Sequence, residues 1–323
     1  MASVLLAATL IAAGHVTAQE DYPSHPIHLI VGFAAGSSGD VAARIVSRKL
    51  GELLGQTVVV EDRPGASSMV ATEYVARSKN DGYTLLLATI AATINTTLMP
   101  DKGPNFEKDL APIVLIGSLP NILVVSPKLD VKSVQELIAL AKQKPDELFY
   151  GASGLGSGPH LASELFKQMA GVKMTGVLYP GSAQTVTDLM AGRIQVMFSP
   201  ASTVLGLIKD GKVKALATSE AKRASVAPNL PTIAESGLPG YDTGLWFGIL
   251  GPAGMPQPAI DKISRAANQT LKDPETLKEL HAQGLDALGG SPDEFARFIK
   301  TETERWAHVI HSMDAAKETK DNK

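Results

Sequence analysis

The sequence predicts an α/β fold of two domains, each a mostly parallel sheet flanked by helices. Three observations carry that expectation. Apolar runs of strand length alternate with helical stripes over the first ninety or so residues, the same alternation restarts near residue 133, and three strand-to-helix junctions carry Gly/Ser-rich loops. Strands buried on both faces need runs that are apolar at every position, and parallel neighbours need a helix to carry the chain back.

The elements follow in order. IHLIVGF (residues 27–33) reads as a buried strand, and residues 40–54 place Val41, Ile45, Val46, Leu50, Leu53 and Leu54 on one helical stripe. TVVVED (57–62) is β-branched and is ended by Arg63-Pro64-Gly65. Residues 69–76 read as a helix, and Asp81-Gly82 turns into TLLLAT (84–89). In the second half, Ser133 and Glu136 form a capping box. ELFYGAS (147–153), GVLYP (176–180), QVMFS (195–199) and residues 214–218 read as strands. Helices are expected at 159–169, with Pro159 in its first turn, and at 183–190. Residues 223–240, rich in Pro, Ser and Gly, predict a linker or long loop, and WFGIL (246–250) is strand-like again. Beyond GPAGMPQP (251–258) the chain reads as helical, with a second capping box at Ser291 and Glu294. ILVVSP (122–127) and residues 240–250 are the candidate crossings. They place 19–122 with 240–323 in one domain and 123–239 in the other, and two crossings make a hinge.

Composition narrows the function. Of 323 residues 44% are hydrophobic, enough for two real cores, and the net charge is −3. No basic cluster stands out and aromatics are 5%, which argues against a nucleic-acid partner. There is no cysteine, which removes disulfides, thiolate metal sites and a Cys nucleophile. SVLLAATLIAA (3–13) is too short to span a bilayer. VTA (16–18) has the small-x-small pattern of signal-peptidase cleavage. A signal peptide over 1–18, cut near Ala18, is therefore expected, with an apolar first helix as the alternative. The mature chain would then work outside the cytoplasm.

The three loops share one plan. The first runs through Phe33, Ala34, Ala35, Gly36, Ser37, Ser38, Gly39 and Asp40. The second contains Ser153, Gly154, Gly156, Ser157 and His160. The third is YPGSAQT, with Gly181, Ser182 and Ala183. A helix start leaves N–H groups unpaired and carries partial positive charge. Glycine allows close approach and serine adds donors, so such loops bind anions without Lys or Arg. Steric turn-making is the competing reading of any one loop. Three of them at the carboxyl ends of strands point to ligand binding.

The anion is best read as a carboxylate. No GxxxxGK[ST] cradle occurs, and Gly32, Gly36 and Gly39 give GxxxGxxG, not the dinucleotide GxGxxG. No cofactor is expected. No GxSxG elbow surrounds Ser38 or Ser153, so no nucleophile is assigned. His160 reads as a backbone-bonding or pocket residue before a base, and Asp40 as a helix N-cap. His25 and His28, and His308 and His311, form no metal spacing.

Longer stretches then carry a resemblance. YPSHPIHLIVGFAAGSSGDVAARIVSRKLGELLGQTVVVEDRPGASS, DGYTLLLAT, GSGPHLASELF, YPGSAQTVTDLMAGRIQVMF, GKVKALATS, LPTIAESGLPGY and WFGILGPAGMP resemble the substrate-binding proteins of tripartite tricarboxylate transporters, the Bug family. The resemblance implies a periplasmic two-domain clamp of the type II, Venus-flytrap class. In such a clamp the loops here at 33–40 and 153–160 hold a ligand carboxylate by backbone N–H groups, without a basic side chain. It also implies that Thr89 and the Gly181-Ser182-Ala183 turn line the pocket, and that the loaded protein meets membrane permease subunits. Two departures stand out. The family's first loop usually has Pro-Pro where this chain has Ala34-Ala35, and an Asp that often helps choose ligand is here Ser199. The second departure disfavours an amino-bearing ligand. The expected protein is a monomeric solute-binding protein for a di- or tricarboxylate, aliphatic or aromatic. A ligand sensor acting through a membrane partner, or a hydrolase or oxidoreductase, are the alternatives.

Overall fold

A computed structural model describes residues 22–100 and 103–321, with side chains to His311; the expected signal peptide lies outside the described residues. The strands in chain order are β1 (Ile27–Val31), β2 (Val58–Asp62), β3 (Thr84–Thr89), β4 (Leu110–Leu119), β5 (Asn121–Val125), β6 (Phe149–Ala152), β7 (Thr175–Leu178), β8 (Val196–Pro200), β9 (Lys214–Thr218), β10 (Leu245–Pro252) and β11 (Asp286–Ala287). The helices are α1 (Ser38–Leu54), α2 (Met69–Ala76), α3 (Ile90–Leu98), α4 (Val134–Gln143), α5 (Gly158–Ala170), α6 (Ser182–Ala191), α7 (Ala201–Lys209), α8 (Gln257–Thr270), α9 (Pro274–Ala282) and α10 (Pro292–Asp321).

These strands form two sheets, ordered β11-β4-β10-β3-β1-β2 and β7-β6-β8-β5-β9. The chain leaves the first sheet through Leu119-Pro120-Asn121 and returns to it between Thr218 and Leu245. The βαβ runs are parallel: β1 pairs in parallel with β2 and β3, and β6 with β7 and β8. Parallel pairing stops at the crossings, where β10 runs antiparallel to β3 and β4, and β5 antiparallel to β8 and β9. A strand reached by a crossing between sheets has no helical return to set its direction, so both sheets are mixed.

The core follows from the apolar runs. Ile27, Leu29, Ile30, Val31, Leu85, Leu86 and Leu87 are essentially inaccessible, as are Ile122 to Val125 in the second sheet. Each such side chain contributes about 1.5–3 kcal/mol on burial. β10 is the middle of the first sheet and tolerates no side chain at Gly248, where a Cβ would lie 2.1 Å from Phe295 Cζ. Phe295 and Phe298 of α10 meet Trp246 edge-on, with centroids 5.8 and 5.6 Å apart. The C-terminal helices thus cover the first sheet. Ser291 and Glu294 cap α10 reciprocally, with Glu294 N donating to Ser291 Oγ at 3.2 Å and Ser291 N to Glu294 Oε2 at 2.7 Å.

The Pro/Ser/Gly-rich stretch before β10 is a packed loop, not a linker. Ile233 and Tyr241 are fully buried in the second core, Leu238 nearly so, and the Tyr241 hydroxyl donates to Ala162 O at 2.7 Å. Ile233 N also bonds Thr218 O at 2.9 Å, fastening the loop beside β9. Its apolar residues are spaced irregularly, and that spacing hid their burial.

Candidate functional site

Five helices begin at one cavity of about 310 Å³ between the two sheets. α1 and α3 start there from the first sheet, and α5, α6 and α7 from the second. Phe33, Ala34, Ala35, Gly36, Ser37, Ser38 and Gly39 line it from one side, and Ser153, Ser157, Gly158 and Pro159 from the other. Thr89, Gly181, Ser182 and Ala183 also reach it. Phe247 and Leu245 of β10, Val41 and Ile90 add an apolar surface. No Lys, Arg, His, Asp or Glu lines the cavity among the described residues. A more open hollow of about 820 Å³ runs along α1 past Arg44 and Arg48, away from these helix starts.

The two principal loops are built alike. Gly36 and Gly156 both lie in the left-handed region, at φ of 78° and 72°, where glycine carries no Cβ penalty. The next residue is the N-cap: Ser37 Oγ accepts from Asp40 N at 3.2 Å, and Ser157 Oγ from His160 N at 3.3 Å. The fourth residue of the cap reaches back. Asp40 Oδ2 accepts from Gly36 N at 2.8 Å, and His160 Nδ1 from Gly156 N at 3.3 Å. Asp40 is therefore not the N-cap the sequence suggests. The box starts three residues earlier at Ser37, and Asp40 is its reciprocal acceptor. His160 bonds backbone as expected.

The caps leave donors over. The N–H groups of Ser38 and Gly39 in α1, and of Gly158 in α5, have no acceptor among the described residues. α6 and α7 start at Gly181 and Pro200, neither of which supplies a side-chain cap. Amides at the positive ends of helices, flanked by serine hydroxyls, attract an anion most strongly where water is excluded.

The remaining sequence-selected residues sit behind this lining. Asp40 is 4% exposed and its Oδ1 faces Arg44 Nε at 2.6 Å. Arg44 also reaches Asp62 Oδ2 at 3.2 Å; burial and then the neighbouring Asp40 charge raise the Asp62 carboxyl above its ordinary range. Gly154 supplies the carbonyl that accepts from Ser157 Oγ at 2.8 Å. Ser199 is buried in β8, with Oγ 3.4 Å from Pro200 O. In its place Pro200, Ser202 and Thr203 meet the cavity, joined by Gln283 from the end of α9. Sequence reasoning missed Ser202, Thr203 and Gln283. The hydroxyl pair after QVMFSP was a usable signal for the first two, and nothing local marked Gln283.

The two sheets also touch directly. Ala66, Ser67 and Ser68 all have positive φ, at 45°, 51° and 74°, each costing about 1–2 kcal/mol for a residue with a Cβ. This strained turn lies against Gly32, where a Cβ would sit 1.9 Å from Ser68 Oγ. It presents Ser67 Oγ to Leu155 O of the opposite loop. Asn95 Nδ2 of α3 fixes Ser67 from behind, donating to its carbonyl at 3.0 Å. Gly156 faces the same region, with a built Cβ 3.3 Å from Asn95 Oδ1 and 3.2 Å from Leu98 Cδ1.

Residues 42–315 match the model of the tripartite tricarboxylate transporter family receptor. The chain is similar to Rpa4515 of R. palustris, solved with adipate, at 36% identity and a TM-score of 0.87 over 91% of this chain and 99% of that one. The periplasmic binding protein BugD aligns at 29% identity and a TM-score of 0.85, covering 91% and 99%. MatC from Rhodopseudomonas palustris, with bound malate, aligns at 27% and 0.83, covering 90% and 100%.

Proposed function

Because this chain belongs to the tripartite tricarboxylate transporter receptor family, a family of solute-binding proteins and not enzymes, we propose that it captures a carboxylate between its two sheets and delivers it to the membrane permease of such a transporter. The observation that carries the reading is the cavity: helix starts from both sheets converge on it, and no charged side chain lines it among the described residues. A carboxylate is satisfied there by the amides of Ser38, Gly39 and Gly158 and by serine hydroxyls. The neighbours Rpa4515 and MatC, solved with adipate and malate, support that ligand class.

In this reading residues 19–122 with 240–323 form one lobe, residues 123–239 the other, and the two crossings are the hinge. Loops 33–40 and 153–160 close on the ligand from opposite lobes. Export by a signal peptide cut near Ala18 places the protein in the periplasm, where it works as a monomer. Ligand held by both lobes selects the closed state through its greater affinity for it.

A thermal-shift screen of di- and tricarboxylates, aliphatic and aromatic, tests this. Ligand at about a hundred times its Kd stabilises by about 2.7 kcal/mol, which raises Tm by several degrees. A response to sugars or cations, with none to any carboxylate, would overturn the reading.

A further inference from the structure

The polar lining next to the first crossing is made of residues that no cap consumes. α7 begins at Pro200, and Ala201 N is bonded to Pro120 O at 3.0 Å, so this helix start is fixed at the passage from β4 to β5. Ser202 and Thr203, one and two residues on, line the cavity. Gln283 comes to them from the first sheet's side. Its backbone N–H is held by Glu279 O and Leu280 O at 3.2 and 3.0 Å. The next residue, Gly284, has φ 78° and lies so close to α7 that a Cβ would be 2.9 Å from Ala201 Cβ. The backbone is thus pinned on both sides, while Gln283 lines the cavity and its side-chain amide makes no hydrogen bond among the described residues.

We propose that Gln283, with Ser202 and Thr203, is the specificity-determining group that reads a second polar end of the ligand and selects a carboxylate there over an amine. The inference rests on the carboxylate reading of the cavity. The amide N–H₂, two hydroxyls and the uncapped amides of α7 all donate to oxygen acceptors. Among the described residues no carboxylate lines the cavity to receive an ammonium, and an unpaired buried charge is strongly disfavoured. Gln283 belongs to one lobe in the proposed division and α7 to the other, so the second ligand end would also report closure.

Titration calorimetry on the intact protein tests the assignment. The ligands are linear dicarboxylates from malonate to suberate, monocarboxylates of matched length, and the matching ω-amino acids. The wild type is expected to bind at least one diacid about tenfold or more tighter than its monoacid, the worth of one hydrogen bond to a charged group. Gln283→Leu removes most of that preference, weakening the diacid far more than the monoacid. Gln283→Glu weakens the diacid further and gains the ω-amino acid. Ser202→Ala supplies a second, milder variant should Gln283→Leu fold poorly, with a loss of preference in the same direction. A wild type without diacid preference, or a preference that survives both Gln283→Leu and Ser202→Ala, overturns the assignment. Failure of the wild type to bind any acid overturns instead the carboxylate reading on which it rests.

Discussion

The loops at the starts of α1 and α5 have one backbone plan and two different keystones. Both run Gly-Ser-x-x-X, and both fold the last side chain of the five back onto the glycine N–H. In the first the keystone is Asp40, a buried carboxylate beside a proposed anion site, offset by Arg44. In the second it is His160, which accepts through Nδ1 and adds no negative charge. Surroundings differ as well. Gly36 faces open space, whereas Gly156 faces Asn95 and Leu98 of α3 across the cleft. The cap geometry is therefore general, and the differences between the loops concern charge and closure.

The largest expected effect breaks the symmetry of the glycines. Gly36→Val and Gly156→Val both force a β-branched residue into the left-handed region, at about 1–2 kcal/mol. Only Gly156→Val also presses across the cleft, where a Cβ would sit 3.2 Å from Leu98 Cδ1 and 3.3 Å from Asn95 Oδ1. Calorimetry should show it losing ligand at least about tenfold more than Gly36→Val does, roughly 1.4 kcal/mol, while the two melting temperatures fall by similar amounts. Equal losses of affinity would mean that the cleft contact plays no part in binding.

A middle effect separates the keystones. Asp40→Ala removes a charge-assisted bond of 2.8 Å and one of the two carboxylates paired with Arg44, leaving it Asp62 alone, at about 1.5–3 kcal/mol. His160→Ala removes a longer bond of 3.3 Å, at about 0.5–1.5 kcal/mol. Urea denaturation measures both. Asp40→Asn keeps an acceptor for Gly36 N–H and deletes the negative charge, so it should retain ligand affinity or raise it.

The smallest effect is a control lying on neither loop. Glu220, just after β9 at the second crossing, has its pKa raised to about 7 by burial and then by Asp242 and Asp286. The folded state holds this proton more tightly than the unfolded chain does. The stability so gained is complete below the ordinary carboxylate range and is lost as pH rises toward 7 and beyond. Glu220→Gln should therefore raise Tm at pH 8 relative to wild type by more than at pH 5. The differences between the two loops should not change. A flat comparison across that range would remove Glu220 as the group responsible.

Much of the fold was legible because burial wrote it locally. Residues 84–89 read as a strand and are β3 residue for residue, since every side chain in LLLA is enclosed and the turn at Asp81-Gly82 is explicit. The interval after it gave no reading. α3 is IAATINTTL, rich in β-branched residues that disfavour a helix, and it forms because Thr89 caps it and its inner face is buried. β4 contains Pro112 and tolerates it at a shift in register opposite Leu250. The lining of the loops was readable from Gly and Ser at strand ends. Phe247, Leu245 and Gln283 were not, because topology alone brings them to the cavity.

β10 enters the first sheet between β3 and β4, but it is the last long strand to leave the ribosome. Until it arrives, the first sheet lacks its midline, and the aromatic cluster of Trp246, Phe295 and Phe298 cannot close. The second sheet is already complete in sequence by then. In a nascent chain of this topology the first sheet stays half-assembled until most of the polypeptide has been synthesised.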